Sequence, residues 1–310
     1  MDQLVALDIA EPPAVTLWEA QHAVSPLILA APHAGRSYRP EFLEVSRLDK
    51  LQLRKTEDAF VDLLFQDAPK HGVPLLCANF PRAWVDVNRE EWELDPAMFA
   101  DKLPPQVAMG SARVAAGLGS IPRVAALGAP IYRRKLSLEE AEQRLEAGWR
   151  PYHRALTDLI ERTKRQFGWC LLIDCHSMPT LGATSQSLIA QNQATQGEGS
   201  PPVARPGTPD IILGDLFGTA CRPDLVAWCE RELQAKGYSV RRNAPYAGGY
   251  VTRHYGKPAL GVHVLQLELA RRLYMNEAAV EPHEGFAKLR QQCADLVIAL
   301  VQHLSQTASI

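Results

Sequence analysis

A chain that alternates short apolar runs with longer stretches of helical period has few ways to fold. Segments 26 to 31, 73 to 79, 83 to 87, 169 to 175, 210 to 214, 238 to 242 and 259 to 268 are apolar runs bounded by Gly, Pro, Asn or Asp, which is the pattern of strands. Between them, residues 48 to 69, 138 to 166, 223 to 236 and 284 to 306 carry apolar residues at helical spacing. Ser137 and Glu140 form an S-x-x-E capping box at the start of the second of these, and Gly237 sits where a helix end favours a left-handed residue. Pro151 is expected to kink or split that second helix. Strands that alternate with helices imply a sheet covered on both faces. The expected architecture is a single domain over 1–310: a three-layer α/β/α arrangement with a mixed, mostly parallel central sheet. Two stretches interrupt the pattern. Residues 96 to 130 are rich in Pro, Gly and Ala, and 178 to 209 are too polar to build core and read as a mobile surface loop near the site.

Composition narrows the partners. A net charge of -2 supplies no electrostatic reason to expect nucleic acid or an anionic membrane surface. No run approaches the roughly 18 to 20 apolar residues of a spanning helix. The opening MDQLVALDIAEPP lacks a basic region followed by a long apolar core, so a cytoplasmic protein is expected. The six cysteines include no C-x-x-C pair and read as reduced core residues. Cys175, between Asp174 and His176, is the one to weigh as a nucleophile; strand alternation would point it away from both neighbours.

Isolated polar residues close several apolar runs: His33 after PLILAAP, Asp174 and His176 after WCLLI, and Glu268 inside VHVLQLEL. The carboxyl ends of strands in an open α/β sheet are where a ligand crevice forms. A hydrolytic zinc site needs about three ligands from His, Asp or Glu, an open position for water, and a nearby carboxylate to move protons. His33 and His176 are candidate ligands, and Gly35 would let the backbone after His33 turn tightly. Glu57 or Asp58 in K-T-E-D-A-F could project an acidic third ligand from the helix after the first strand. Asp174, two residues before His176, could orient a ring N–H of that histidine. The strand face Leu260, Val262, Val264, Gln266, Glu268 places a carboxylate where it must be paired or solvated at a cleft. There it suits a general base and then a general acid. The plainer alternatives are histidines bonded to backbone and an ion pair of Glu268 with Arg271 or Arg272.

Recognition also has candidates. V-D-V-N-R puts Asn88 and Arg89 at a strand end, and Y-V-T-R-H-Y-G puts Arg253 after a Gly-Gly turn. The planar fork of arginine pairs carboxylates bidentately, so such residues converging on one cleft suit a dicarboxylate or an acyl amino acid.

These motifs, taken in order, resemble the N-formylglutamate amidohydrolase family. The match runs through PHAG at 32 to 35, the acidic pair at 57 and 58, DVNR at 86 to 89, W-x-x-Y-H at 149 to 153 and IDCHS at 173 to 177. It continues through DIILGD at 210 to 215 and GGYVTRHYG at 248 to 256 into VHVLQLEL at 262 to 269. The resemblance implies a fold similar to the zinc carboxypeptidases and aspartoacylases, one divalent metal ion with zinc the expected one, and hydrolysis of N-formyl-L-glutamate to formate and L-glutamate in the context of histidine degradation. By position it implies His33, His176 and Asp58, in preference to Glu57, as metal ligands, and Glu268 as the catalytic carboxylate. It further implies that Asn88 and Arg89, with Arg253, hold the carboxylates of a small N-acyl amino acid. Alternatives on the same scaffold are a deacylase or carboxypeptidase for another N-acyl amino acid; from other classes, a non-catalytic binder of acidic amino acids or a Cys175-dependent amidase.

Overall fold

A computed structural model of the chain describes residues 12–105, 107, 112–125, 128–180 and 208–307. Seven strands form one sheet: β1 (Val15–Trp18), β2 (Leu27–Ala31), β3 (Leu75–Ala78), β4 (Cys170–Met178), β5 (Ile211–Gly214), β6 (Val240–Arg242) and β7 (Val262–Ala270), in the order β1-β3-β2-β4-β7-β5-β6. The four central strands β3, β2, β4 and β7 run parallel, β1 is antiparallel at one edge, and β5 is antiparallel to β7 with β6 parallel beside it. Parallel strands are buried on both faces, and β2, β3, β4 and β7 are buried at every position.

The two apolar layers differ in what they pack against. On one face Leu29, Leu171, Ile173, Leu265 and Leu267 meet Leu225, Leu233, Leu296 and Leu300 from the helices Pro223–Ala235 and Gly285–Thr307. On the other, Ile28, Leu76, Leu172 and Val264 meet Tyr152, Leu156 and Leu159 from the helix Arg150–Phe167. The second face carries the site. There Cys170 and Leu172 of β4 give way to Asp174 and His176, while Val262 and Val264 of β7 give way to Gln266 and Glu268. Register sets Asp174 beside Gln266 and His176 beside Glu268.

The mixed sheet between helices agrees with the expected architecture, and the differences lie where the site is built. The segment 48 to 69 is not one helix. It breaks into Lys50–Arg54, capped by a reciprocal Asp49–Gln52 box, and Val61–Leu64, with Phe60 left-handed at φ 68°. In the break, the backbone N–H of Asp58 bonds to His33 O at 3.0 Å. Glu57 and Asp58 therefore project from a non-helical link rather than from a helix. Residues 83 to 87 are not a strand, because Trp84 and Val85 donate back to Pro81 O in a local turn, although Val85 and Val87 are buried. Leu260 lies outside β7, in a short 3-10 turn, and is 64% exposed. β1 was not anticipated; four half-buried residues at an edge leave little pattern.

Pro151 falls where the long helix is interrupted, in the first turn of its second part. The helix Leu138–Arg144 passes through a π turn at Leu145–Trp149, where Arg150 N–H bonds to Leu145 O, and continues as Arg150–Phe167 with Pro151 in its first turn. A widened turn takes up the missing donor of the proline. The polar loop expected at 178 to 209 lies outside the described residues, apart from its ends.

Candidate active site

Three ligand-type atoms converge at the carboxyl edge of the sheet. Asp58 Oδ2 lies 2.9 Å from His176 Nδ1 and 3.3 Å from His33 Nδ1. His33, Asp58 and His176 are all buried, and their ligand atoms lie within 4.8 Å of one another. The far nitrogen of each ring faces a carboxylate. His33 Nε2 is 2.8 Å from Asp86 Oδ1, so the ring donates there and Nδ1 keeps its lone pair. His176 Nε2 is 3.0 Å from Asp174 Oδ2, in ion-pair range although neither oxygen of Asp174 has an aligned donor. Asp174 thus stands beside the ring that its position in the strand predicted. Asp86, which plays the same part for His33, was visible within DVNR yet not singled out.

Whether this group fits a cation is tested by its own polar atoms. His33 Nδ1 is buried with no hydrogen-bond partner, an expensive state for a ring nitrogen that no protein donor answers. Two imidazole nitrogens and a carboxylate oxygen are a donor set suited to zinc and similar ions. The electrostatics describe a centre that favours positive charge. Burial works to raise the Asp58 carboxyl, but the hydrogen bond with His176 Nδ1 and the nearness of His33 outweigh it and hold the group well below the usual carboxylate range. Burial likewise disfavours a charged His176, yet Asp174 and Asp58 hold the imidazole well above its ordinary range.

Glu57 is equally buried but looks elsewhere: Tyr38 Oη donates to its Oε1 at 2.7 Å, and Arg54 Nε to its Oε2 at 3.3 Å. It is not among the atoms that converge. Arg271 pairs with Asp58 and Arg272 with Asp210, so neither arginine neutralises Glu268. The carboxylate of Glu268 is 7% exposed and accepts from Gln266 Nε2 at 2.9 Å. Burial pushes it up to about 7, and the charge of His176 pulls in the opposite direction. Arg82 adds a cation that the sequence reading overlooked. Its Nη2 donates to Asp86 Oδ2 at 2.8 Å, and its charge also faces Asp58 and Glu268.

The DVNR turn is held from both sides. Asn88 Oδ1 accepts from Val251 N–H at 2.8 Å, which turns Asn88 Nδ2 toward His176 Nε2 at 3.4 Å. A Cβ at Gly249 would stand 2.3 Å from that amide, so only glycine permits the approach. His153 donates from Nε2 to Val87 O at 2.9 Å and accepts from Tyr255 Oη at 2.9 Å, while Trp149 Nε1 donates to Arg89 O at 3.0 Å. Arg89 is spent in part on backbone, donating to Leu118 O and Asn88 O. Arg113, in the Gly- and Ala-rich stretch where no motif marked it, is pushed down to about 10 by burial and by the like charges of Arg89 and Arg253. The charges of Arg89 and Arg253 thus bear on Arg113, while Arg253 itself is exposed on the helix Tyr250–Tyr255; among the described residues none of the three is in an ion pair.

Gly35 serves closeness rather than a left-handed turn, since a Cβ there would meet Phe80 O at 2.2 Å. Cys175 packs in the opposite apolar layer from Asp174 and His176, is fully buried, and has its thiol pushed well up by that burial. That placement argues against a thiolate nucleophile. All six cysteines are free and buried. No helix among the described residues is long and apolar enough to cross a membrane.

A buried His–Asp–His group beside a desolvated glutamate, at the carboxyl edge of an α/β sheet, defines the class of a hydrolase with a site able to hold a metal ion. A family model described as N-formylglutamate amidohydrolase matches residues 25–275, and the chain belongs to that family. It is 31% identical over 257 residues to an N-formylglutamate deformylase of Pseudomonas aeruginosa strain PAO1, covering 82% of this chain and 84% of that protein. It is 30% identical over 282 residues to an N-formylglutamate deformylase of Pseudomonas putida, covering 90% and 92%. The crystal structure of an N-formylglutamate amidohydrolase from Ralstonia eutropha JMP134 superposes with a TM-score of 0.83 at 34% identity, covering 96% of this chain and all of that one. An Agrobacterium tumefaciens protein at 17% identity and TM-score 0.61 shares the fold.

Proposed function

We propose that this chain hydrolyses N-formyl-L-glutamate to formate and L-glutamate with one bound divalent cation, zinc by its donor chemistry. The observation that carries the reading is the convergence of His33 Nδ1, Asp58 Oδ2 and His176 Nδ1, with the raised carboxyl of Glu268 on the adjoining strand. His33, Asp58 and His176 would hold the ion, which when bound polarises the formyl carbonyl and acidifies a water molecule. Glu268 takes the proton from the attacking water and returns it to the leaving amine. A carboxyl poised near neutrality is suited to both directions of that transfer, and Gln266 fixes one of its oxygens. The positive charge of Arg82, which faces Asp58 and Glu268, would favour the negative charge that develops on the carbonyl oxygen as it becomes tetrahedral. Asp86 and Asp174 hold the two imidazoles in the orientation that leaves each Nδ1 facing the centre.

The substrate carries two carboxylates and no cation once formylated. Arg89, Arg113 and Arg253, none of them in an ion pair among the described residues, are cations that feel one another's charge, and we assign them to those carboxylates. The names of the Pseudomonas and Ralstonia relatives favour the formyl substrate over a longer acyl group.

The test is formate release from N-formyl-L-glutamate by the purified protein, before chelation, after it, and after zinc is restored. Activity that disappears and returns is the expected result. Turnover indifferent to exhaustive, verified metal removal would overturn the cation's role, and no formate with zinc bound would overturn the substrate.

A further inference from the structure

We propose that Arg271 is a positioning residue that restricts Asp58 to presenting one oxygen to the cation, a proposal that rests on the metal-holding role given to Asp58 above. Asp58 has two oxygens and the site uses them differently. Oδ2 faces both histidines, while Oδ1 accepts from Arg271 Nη2 at 3.1 Å and lies 3.5 Å from Ser177 Oγ. The guanidinium has no slack with which to release it. Its Nε donates to Ser177 Oγ at 3.2 Å and its Nη1 to Lys55 O at 3.1 Å, so all three nitrogens are engaged. Arg271 is 8%, Ser177 4% and Asp58 1% exposed.

A second tether makes the clamp part of the fold. Arg271 opens the short turn that ends β7, and Tyr274, whose N–H bonds to Arg271 O, donates from its hydroxyl to Ala59 O at 2.9 Å. The turn after β7 therefore grips the broken link that carries Asp58 at Lys55, Asp58 and Ala59. This explains why the link can forgo helix: its backbone and its carboxylate find partners in a strand end more than two hundred residues later.

The chemical consequence concerns vacancy. A carboxylate free to rotate can close both oxygens on a cation and fill its coordination shell, whereas hydrolysis requires positions left for water and substrate carbonyl. Charge-assisted donation to Oδ1 opposes that rotation. The residue acts through Asp58 and does not touch substrate.

The experiment compares wild type, Arg271→Met, Arg271→Lys and Ser177→Ala, with folding followed by circular dichroism. Zinc affinity is measured by competition with a chelating dye, and coordination by the visible absorption of the cobalt(II)-substituted proteins. Arg271→Met is expected to bind zinc about 10–100-fold more weakly. Its cobalt bands should also weaken toward those of a higher coordination number as Asp58 turns its second oxygen inward. Lysine should recover part of both changes, since it can still donate to Oδ1. Should Arg271→Met fail to fold, Ser177→Ala and Arg271→Lys carry the test, with smaller shifts in the same direction. Wild-type zinc affinity and an unchanged cobalt spectrum in the folded variants would overturn the proposal. Wild-type protein that binds neither metal would instead overturn the metal-holding role itself, and this proposal with it.

Discussion

Glu268 shows how one side chain can be costly to the fold and useful to the chemistry. It stands at the end of an apolar strand without an arginine partner, and burial lifts its carboxyl to about 7 from an ordinary 4.5. As a base it must be ionised, so kcat/KM should fall as pH drops through its pKa. A cation bound at the proposed site would lower that value, which puts the acid limb at or below about pH 7; a profile flat from pH 7 to pH 4.5 would reject the role. Glu268→Gln should lose about 10²–10⁴ in kcat while zinc binding is kept, because the amide cannot carry the proton and is no ligand. Turnover close to wild type in that variant would move the base elsewhere. These histidines and this glutamate were legible because a polar group that ends an apolar run is conspicuous. Asp86, Arg82 and Arg113 were not, for each sits among turns where polar residues are ordinary and only the fold brings them to the centre.

At the scale of elements, the helix through Trp149 and His153 supports the DVNR turn. His153 is held neutral: burial pushes its imidazole down to about 3 from an ordinary 6.5, with the backbone carbonyl of Val87 opposing. The sign follows from proton uptake. The unfolded chain binds a proton below pH 6.5 that the folded chain does not, so this contribution to stability is complete above 6.5 and is lost as pH falls toward 3. The slope from this one group is at most about 1.4 kcal/mol per pH unit. His153→Gln, which keeps an N–H for Val87 O, should flatten the acid limb of stability in urea melts between pH 6.5 and pH 4. An unaltered limb would assign the acid sensitivity to other groups. Strands and the long helices were readable from periodicity, whereas the π turn and the break at residues 55 to 60 were not. The break depends on partners far along the chain, namely His33 O and Arg271. Local pattern carries no trace of such contacts.

For the whole molecule, the site joins residues from 33 to 271, and a cation there would bind the folded state alone. Zinc at 100 times its dissociation constant should then add about 2.7 kcal/mol of stability, read as a rise in melting temperature that a chelator reverses. His33→Ala should abolish most of that rise. An equal rise in His33→Ala would place the ion elsewhere. The three-layer arrangement was legible from the alternation of elements; the strand order was not, because nothing in β7 announces that it lies between β4 and β5.

That strand order has a consequence for how the protein is made. β4 leaves the ribosome long before β7, yet β7 is the neighbour that completes its hydrogen bonding along nine residues and delivers both Glu268 and Arg271. Until residue 271 has emerged, a half-built sheet with an unpaired edge and an ungripped Asp58 is all the nascent chain can offer a passing metal ion. If the site holds an ion as proposed, its tight capture would be deferred to a chain whose last central strand is in place, and retention of the metal would report finished folding.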